Sequence, residues 1–143
     1  MTQDAVEIAR RSAEAMWADD KASQGLGMEV LEVAPGRAKL AMTLTERMVN
    51  GHGFGHGGFI FTLADSALAF ACNSYGDNTV AAGAAIEFLA PGREGDVLRA
   101  IASERWRAGR AGIYEIEVRN QRDETVALFR GRSHQIAGRL IDD

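Results

Sequence analysis

The chain has 143 residues and a mass of 15.4 kDa, the size of one ordinary domain, so we expect a single domain over residues 1–143. Its 46% of hydrophobic residues indicate a folded protein, and its formal net charge of -4 argues against nucleic acid as a partner. No apolar run reaches the roughly 18 residues that cross a bilayer, so no membrane partner is expected. The single cysteine, Cys72, cannot form an internal disulfide, which favours a cytoplasmic location.

The first third of the chain predicts one short helix and two strands. Apolar side chains fall on one face of residues 6–17, which indicates a short amphipathic N-terminal helix. Residues 21–27 are expected to form a loop. Strands are predicted at residues 28–34 and 37–44, because a Pro-Gly pair between them suits a tight turn and the second strand alternates apolar with more polar residues.

A long apolar segment, from residue 57 to about residue 74, predicts a buried helix. The segment is rich in Ala, Leu and Phe and is apolar nearly all round, which is typical of a helix inside a protein. At 1.5 Å per residue it would extend about 25 Å. Because a sheet covers such a helix only in part, we expect a second copy of the chain to supply further cover.

Four further strands are predicted after this helix. They follow one another through short turns, which implies an antiparallel sheet. One long helix packed on one face of that sheet defines the α+β class. The predicted strands are residues 79–89, 97–107, 112–120 and 125–136.

A cluster of five glycines, between residues 51 and 58, leads directly into the predicted buried helix. The first N–H groups of a helix have no intrahelical acceptor, and the helix dipole makes this end electropositive. Glycines also let a ligand approach the backbone closely. This segment is therefore a candidate for binding an anion or an oxygen that becomes negative in a transition state, with a flexible capping loop as the alternative.

Asp65 lies inside the predicted apolar helix, eight residues after Gly57. An unpaired carboxylate in apolar surroundings is costly, either as an ion or through a raised pKa. A catalytic or binding carboxylate accounts for its presence, and an aspartate that bonds to a neighbouring loop or faces water is the alternative.

Metal ligation is not expected from the two histidines near this helix. His52 and His56 are four residues apart, but the glycines between them argue against a helical ligand pair, and no Glu follows His52 in the metalloprotease pattern. Cys72 has no second cysteine with which to bind a metal, and it is expected to act as a small buried hydrophobic residue.

Basic residues are concentrated in the second half of the chain. Residues 93–132 contain nine arginines and seven acids, a local charge of +2, whereas the rest of the chain carries -6. Arginine has a planar fork that suits phosphate and carboxylate groups. These arginines are expected either to be solvated at outward positions of the strands or to bind an anionic ligand.

Residues 50–74 resemble the hotdog-fold thioesterases of the phenylacetic-acid-degradation type in the spacing of Asn50, the His-Gly-Gly at 56–58 and Asp65. The likeness covers most of the chain and includes the residues 87–96 that lead out of the first strand after the helix. The resemblance implies a hotdog fold, in which an antiparallel sheet wraps around one long central helix. It also implies dimers, often dimers of dimers (a homotetramer), and hydrolysis of acyl-coenzyme A (acyl-CoA) thioesters.

The resemblance assigns roles to individual residues of this chain. Asp65 matches the catalytic carboxylate, as nucleophile or as general base for water. Gly57 matches the amide donor to the thioester oxygen, Asn50 the polar residue that positions the reacting group or water, and His56 the histidine of His-Gly-Gly. No cofactor is implied, because CoA is part of the substrate.

One departure from the family pattern concerns the neighbourhood of Asp65. Relatives with glutamate in place of Asp65 can carry a hydroxyl residue one turn later, where this chain has Ala69. Ser66 is the candidate for part of that role.

Six residues are the predicted substrate contacts. Arg107 and Arg110 flank a turn, and with Arg93 they are the candidates for binding the CoA phosphates. The complete set is Gly58, Phe59, Asn73, Arg93, Arg107 and Arg110. Phenylacetyl or hydroxyphenylacetyl is the acyl group that the resemblance implies. Further residues are candidates for an aromatic acyl pocket and equally for the core: Met48, Phe54, Phe61 and Tyr75.

Helix geometry predicts that two chains share each site. Eight residues separate Gly57 from Asp65, which is about 12 Å along a helix axis. A carbonyl needs its amide donor within about 3 Å of the oxygen and its attacking group about 3 Å from the carbon, so one helix cannot supply both. Asp65 should therefore come from a second, antiparallel helix, with two sites in each dimer.

Two other functions are considered. One is a hotdog dehydratase, in which His56 or His52 works with Asp65 on a hydroxyacyl-CoA. The other is a non-catalytic protein that binds or senses acyl-CoA at the start of the helix.

Overall fold

The structure is a computed structural model and describes residues 3–142. It contains three α-helices, a 3₁₀ turn and six strands, and their bounds follow in chain order. They are α1 (Gln3–Asp19), α2 (Lys21–Gly25), β1 (Glu29–Ala34), β2 (Arg37–Thr43), the 3₁₀ turn (Glu46–Met48), α3 (Gly57–Cys72), β3 (Asp77–Phe88), β4 (Val97–Ala108), β5 (Ala111–Arg119) and β6 (Thr125–Arg139). None of the helices in residues 3–142 is long and apolar enough to span a bilayer.

The predicted helices and strands are confirmed, with one error at the start of the chain. Residues 21–27 were expected to form a loop, but Lys21–Gly25 form the short helix α2. Asp20 caps this helix, because its carboxylate accepts a hydrogen bond of 2.9 Å from the backbone N–H of Ser23. A helix of five residues is too short to show an apolar period, and the capping aspartate was its only signal.

The six strands form one antiparallel sheet in the order β1-β2-β4-β5-β6-β3. The turn after β3 therefore does not close a hairpin, although β3 and β4 are consecutive in sequence. β4 pairs with β2 instead, and β3 pairs with β6 at the far edge of the sheet. This crossing leaves β1 and β3 as the two edge strands.

α3 packs across one face of the sheet and forms the centre of the core. Its buried residues face the inward positions of the strands, where Leu98, Ala100 and Ala102 of β4 alternate with more exposed neighbours. The alternation continues in β5, whose Ile116 and Val118 are buried. The predicted burial of this helix is thus confirmed for most of its circumference.

A stripe along α3 is only partly covered within one chain. It consists of Gly58, Phe61, Thr62, Asp65 and Ala69, and we call it the open stripe. The spacing of three and four residues places these positions on one side of the helix. The edge strand β3 is also exposed over its small residues 81–85. A single chain thus leaves both a helix side and a sheet edge open.

Candidate active site

The segment before α3 forms a tight loop that Asn50 holds together. Its side-chain Oδ1 accepts hydrogen bonds from the backbone N–H of His52 (2.9 Å) and of Phe54 (3.2 Å), and its own N–H donates to the carbonyl of Phe54 (2.7 Å). The Nδ2 group of Asn50 has no acceptor among residues 3–142. Asn50 therefore shapes the loop and keeps one donor group free.

The end of this loop is tied to the core. The N–H of Gly55 donates to the carbonyl of Gly92 (2.7 Å), and the N–H of His56 donates to the carbonyl of Met48 (2.6 Å). A β-carbon on Gly55 would stand 2.7 Å from a methyl group of the buried Leu44, so a larger residue here would force the Leu44 side chain to shift. The loop thus places the start of α3 at a defined position beside the turn after β3.

The first free N–H group of α3 belongs to Gly57. His56 is the N-cap, and its Nδ1 accepts a hydrogen bond of 2.9 Å from the N–H of Gly58. The N–H of Gly58, a predicted substrate contact, is thus already used. The N–H of Gly57 has no acceptor within the described part of the chain, and it lies at the positive end of the helix dipole. This geometry suits an oxygen that gains negative charge.

Phe88 lies directly against Gly57. A β-carbon at position 57 would stand 2.8 Å from the Cζ atom of the Phe88 ring. The residue is 52% exposed, although it is at the end of β3 on the side of the sheet that faces the helix. Sequence reasoning missed Phe88 as a site residue. Phe88 and Ile86 are two residues apart in a strand, so their side chains lie on the same face of the sheet. This spacing was the signal in the sequence that could have found Phe88.

Asp65 is half-buried on the open stripe. Burial raises the pKa of its carboxyl above the ordinary value. The carboxylate has no hydrogen bond or ion pair with any of residues 3–142. Its position in α3, eight residues after Gly57, corresponds to about 12 Å along the axis. One chain therefore does not bring the carboxylate to the free N–H group.

The hydroxyl groups nearest to Asp65 in sequence are both engaged. The Oγ of Ser66 lies 2.8 Å from the Oγ of Ser23, which in turn donates to Asp20, so Ser66 joins α3 to α2. The Oγ1 of Thr62 donates to the carbonyl of Gly58 (2.8 Å). The predicted assistance of Ser66 to the carboxylate thus has no geometric support within one chain. Thr62 itself lies on the open stripe one turn before Asp65.

Asn73, a predicted substrate contact, is at the far end of α3. It is 5% exposed, and its Nδ2 donates to the carbonyls of Ala69 and Thr79, both at 2.9 Å. Its Oδ1 accepts from the N–H of Thr79 (3.0 Å). All its polar atoms are used in ending the helix and starting β3, so it has none to offer a substrate. Cys72 beside it is buried as expected, and burial raises the pKa of its thiol to about 12.

The aromatic pocket candidates are spread along the whole of α3. Phe59 is half-buried and lies edge-on to His56, with ring centroids 6.1 Å apart. Phe61 packs edge-on against Phe129 at 5.1 Å, whereas Met48 is a buried core residue. Tyr75 is at the other end, where its hydroxyl donates to Glu104 (3.0 Å).

The three candidate phosphate-binding arginines lie at opposite ends of α3. The guanidinium of Arg93 stands over the ring of Phe54 at 5.2 Å, beside the loop that precedes the helix. Arg107 stands over Tyr75 at 3.6 Å, near the end of the helix. Arg110 is exposed on the adjoining turn and forms no ion pair within the described residues. Within a single chain, Arg93 at one end of α3 therefore cannot bind the same phosphate as Arg107 or Arg110 at the other end.

Several other arginines form ion pairs at outward strand positions or in the turn between β5 and β6, in line with the solvated alternative. Such exposed pairs contribute little to stability. Examples are Arg99 with Asp123, Arg105 with Glu115, Arg119 with Glu117, and Arg122 with Glu124.

Comparison with known proteins places this geometry in a family. The model of the thioesterase superfamily matches residues 52–127, so the chain belongs to the thioesterase superfamily. It is 46% identical over 133 residues to the acyl-coenzyme A thioesterase PaaI of Escherichia coli K12, which covers 93% of this chain and 95% of that protein. It is also 32% identical over 130 residues to a putative esterase of Archaeoglobus fulgidus, which covers 91% of this chain and 84% of that protein.

Solved structures agree with this membership. The structure of the E. coli PaaI protein from the phenylacetic acid degradation operon has a TM-score of 0.92 and 45% identity, covering 94% of this chain and 97% of that one. A PaaI variant from Thermus thermophilus has a TM-score of 0.77 and 35% identity, covering 80% and 97%. The predicted resemblance, the hotdog fold and the thioesterase class are therefore confirmed.

Proposed function

We propose that this chain hydrolyses acyl-CoA thioesters with aromatic acyl groups, such as phenylacetyl- or hydroxyphenylacetyl-CoA, to the free acid and CoA. The observation that carries this proposal is the pair of unsatisfied groups on α3, the N–H of Gly57 and the carboxylate of Asp65, whose chemistry is that of thioester hydrolysis. The PaaI relative acts on acyl-coenzyme A and comes from a phenylacetic acid degradation operon, which supports the substrate class.

In the proposed reaction, the thioester carbonyl accepts a hydrogen bond from the N–H of Gly57. The positive end of the α3 dipole adds to the stabilisation of the oxygen as it becomes negative. The ionised Asp65 either takes a proton from the attacking water or attacks the carbonyl carbon itself to form an anhydride that water then cleaves. In both routes the C–S bond breaks and CoA leaves as a thiolate. No cofactor is needed, because carboxylate, water and amide supply every group.

A second chain completes each proposed site. The open stripe of α3 is partly uncovered along one side of the helix and includes the small residues Gly58 and Ala69, so an antiparallel helix can pack along it. Such pairing brings Asp65 of the partner subunit opposite Gly57 and creates two equivalent sites. The exposed edge of β3 supports the same dimer, since unpaired strand edges bind other strands. Association of two such dimers into a tetramer remains a prediction.

The positions of the arginines support shared sites independently. Arg93 lies beside the loop before α3, and Arg110 lines one cavity with Cys72 and Tyr75 at the end of the helix. When Asp65 of the partner subunit is opposite Gly57, the end of the partner helix lies beside the loop before α3, so Arg93 and the partner's Arg110 flank one site. We assign these two arginines to the CoA phosphates. Arg107 is less available, because it contacts both Tyr75 and Glu104.

Release of free thiol from a series of acyl-CoA substrates tests the proposed function. Aryl-acetyl and aroyl thioesters should react with turnover, and Asp65→Asn should abolish most of it while the protein stays folded and dimeric. Tight binding without thiol release would contradict hydrolysis and favour an acyl-CoA binding protein. Loss of water from a hydroxyacyl-CoA without thiol release would favour a dehydratase. Near-normal hydrolysis by Asp65→Asn would exclude the carboxylate as the catalytic group.

A further inference from the structure

Phe88 has the surroundings of a substrate contact rather than of a core residue. It pairs in the sheet with Ala127, and two residues earlier Ile86 pairs with Phe129, which places both side chains on the face that α3 covers. Ile86 is packed against the core, yet Phe88 is half exposed. The helix begins at Gly57, which has no side chain to cover the ring. A large aromatic group is thus left open at the start of the helix.

The ring is next to the proposed carbonyl site. The added β-carbon at Gly57 would lie 2.8 Å, 3.2 Å and 3.3 Å from three atoms of the Phe88 ring. A carbonyl oxygen held by the N–H of Gly57 must stand about 3 Å from that nitrogen. Because the ring lies against the same residue, the acyl group attached to that carbonyl can reach it, whichever group attacks.

The position of the ring is held from two directions. The N–H groups of Leu89 and Ala90 both donate to the carbonyl of Val126, at 2.8 Å and 3.2 Å, which fixes the end of β3 against β6. The bond from Gly55 to the carbonyl of Gly92 then joins the next turn to the loop before α3. The backbone that carries the ring and the loop that carries the N–H group are therefore tied to one framework, which favours a defined pose of the substrate.

We propose that Phe88 is a specificity-determining residue, whose ring packs against the acyl group beside the reacting carbonyl and favours aromatic over aliphatic acyl groups. Aromatic rings attract one another beyond the effect of the apolar area that they bury. The half-buried ring of Phe61, held edge-on against Phe129, adds a second aromatic surface one turn along α3. This inference rests on the proposed thioesterase function and specifies how its acyl group is chosen.

The test compares phenylacetyl-CoA with hexanoyl-CoA for the wild type and for Phe88→Leu, which keeps an apolar side chain but removes the ring. The ratio of kcat/KM for the aromatic to the aliphatic substrate should fall roughly 3- to 10-fold, the effect of one aromatic contact. Leu89→Ala is the control, because Leu89 is similarly exposed (55%) but Phe88, not Leu89, supplies the atoms nearest to a β-carbon at position 57. Its ratio should equal that of the wild type.

The outcomes separate this inference from the function on which it rests. No thiol release by the wild type from any acyl-CoA would overturn the proposed function itself. Hydrolysis by the wild type with an unchanged ratio in Phe88→Leu, or with equal losses on both substrates, would overturn the role of Phe88 alone. Size-exclusion chromatography and thermal unfolding of each variant identify a loss of assembly or folding. If Phe88→Leu fails either check, Phe88→Tyr, which retains the ring, must keep the wild-type ratio, and a fall in its ratio would overturn the inference.

Discussion

The ring of Phe88 lies so close to Gly57 that a β-carbon at position 57 would stand 2.8 Å from the ring Cζ atom, and the ring or the helix would have to shift to admit it. The glycine that opens α3 is therefore matched to a neighbour that is distant in sequence as well as to the ligand that it is proposed to bind. Gly57 and Phe88 should behave as an energetically coupled pair.

Gly57→Ala should lower the thermal midpoint of unfolding and remove most hydrolysis. Alanine retains the backbone N–H, but its methyl group displaces the Phe88 ring or the start of the helix. Adding Phe88→Ala should make room for that methyl group. The double variant should then be more stable than the sum of the two single changes predicts. Thermal unfolding of the four proteins measures this coupling. Additive losses would show that the two residues do not constrain each other.

Asp65→Asn should stabilise the protein at neutral pH while abolishing turnover. The raised pKa of Asp65 means that the folded state holds this proton more tightly than the unfolded chain. The stability that protonation contributes is complete below the unfolded value of about 4 and is lost as pH rises through the folded pKa. The variant should therefore exceed the wild type in urea resistance at pH 7, and the gap should close towards pH 4.

Asp96→Asn is the control, because its expected effect on stability at pH 7 has the opposite sign. Burial pushes the pKa of Asp96 upward, but hydrogen bonds from Gln121 and from the N–H of Arg93 outweigh it and hold the pKa below its ordinary value. Ionised Asp96 therefore adds stability above the unfolded pKa, and this gain is lost as pH falls through the folded pKa. This variant should be less stable than the wild type at pH 7, with the difference vanishing in acid. If both variants were more stable than the wild type at pH 7, or both less stable, the assigned directions of the two pKa shifts would be wrong.

Activity should return when two inactive chains are mixed. One chain carries Asp65→Ala. The other carries Gly57→Pro, which removes the donor at a position where a helix tolerates proline, together with Phe88→Ala to make room. With random exchange in an equal mixture, half of the dimers are hybrids with one intact site of two, so activity should reach about a quarter of the wild type. Mixed dimers that stay inactive would argue against sites built from two chains.

Arg93→Ala and Arg110→Ala should each raise KM for acyl-CoA about 2- to 5-fold with little change in kcat, because each removes one solvent-exposed ionic contact to phosphate. Hydrolysis of the matching acyl-pantetheine, which lacks the nucleotide phosphates, should be unaffected. Arg99→Ala is the control, since Arg99 pairs with Asp123 on the outer side of the sheet. Equal effects on both substrates would place these arginines outside phosphate binding.

Much of the candidate site could be predicted because it is local in sequence. Asn50 and Gly57 belong to one loop and helix start, where capping and turn geometry depend on residues a few positions apart. Asp65 was conspicuous as a charge in an apolar helix, and its half-buried, unpartnered position fits that expectation. Ser66 and Asn73 illustrate the limit, since their hydrogen-bond partners determine their roles and are not evident from spacing.

By itself, the sequence determined the two longer helices, the strands, the α+β class and the motif from Asn50 to Asp65, because hydrophobic periodicity and helix-end chemistry act over short stretches of chain. Only the tertiary structure decided that β3 pairs with β6, that Phe88 lies over Gly57 and that Arg93 and Arg110 stand at opposite ends of α3. These relationships join residues tens of positions apart. They depend on which strands pair and in what register, and packing of the whole sheet against α3 selects that pairing.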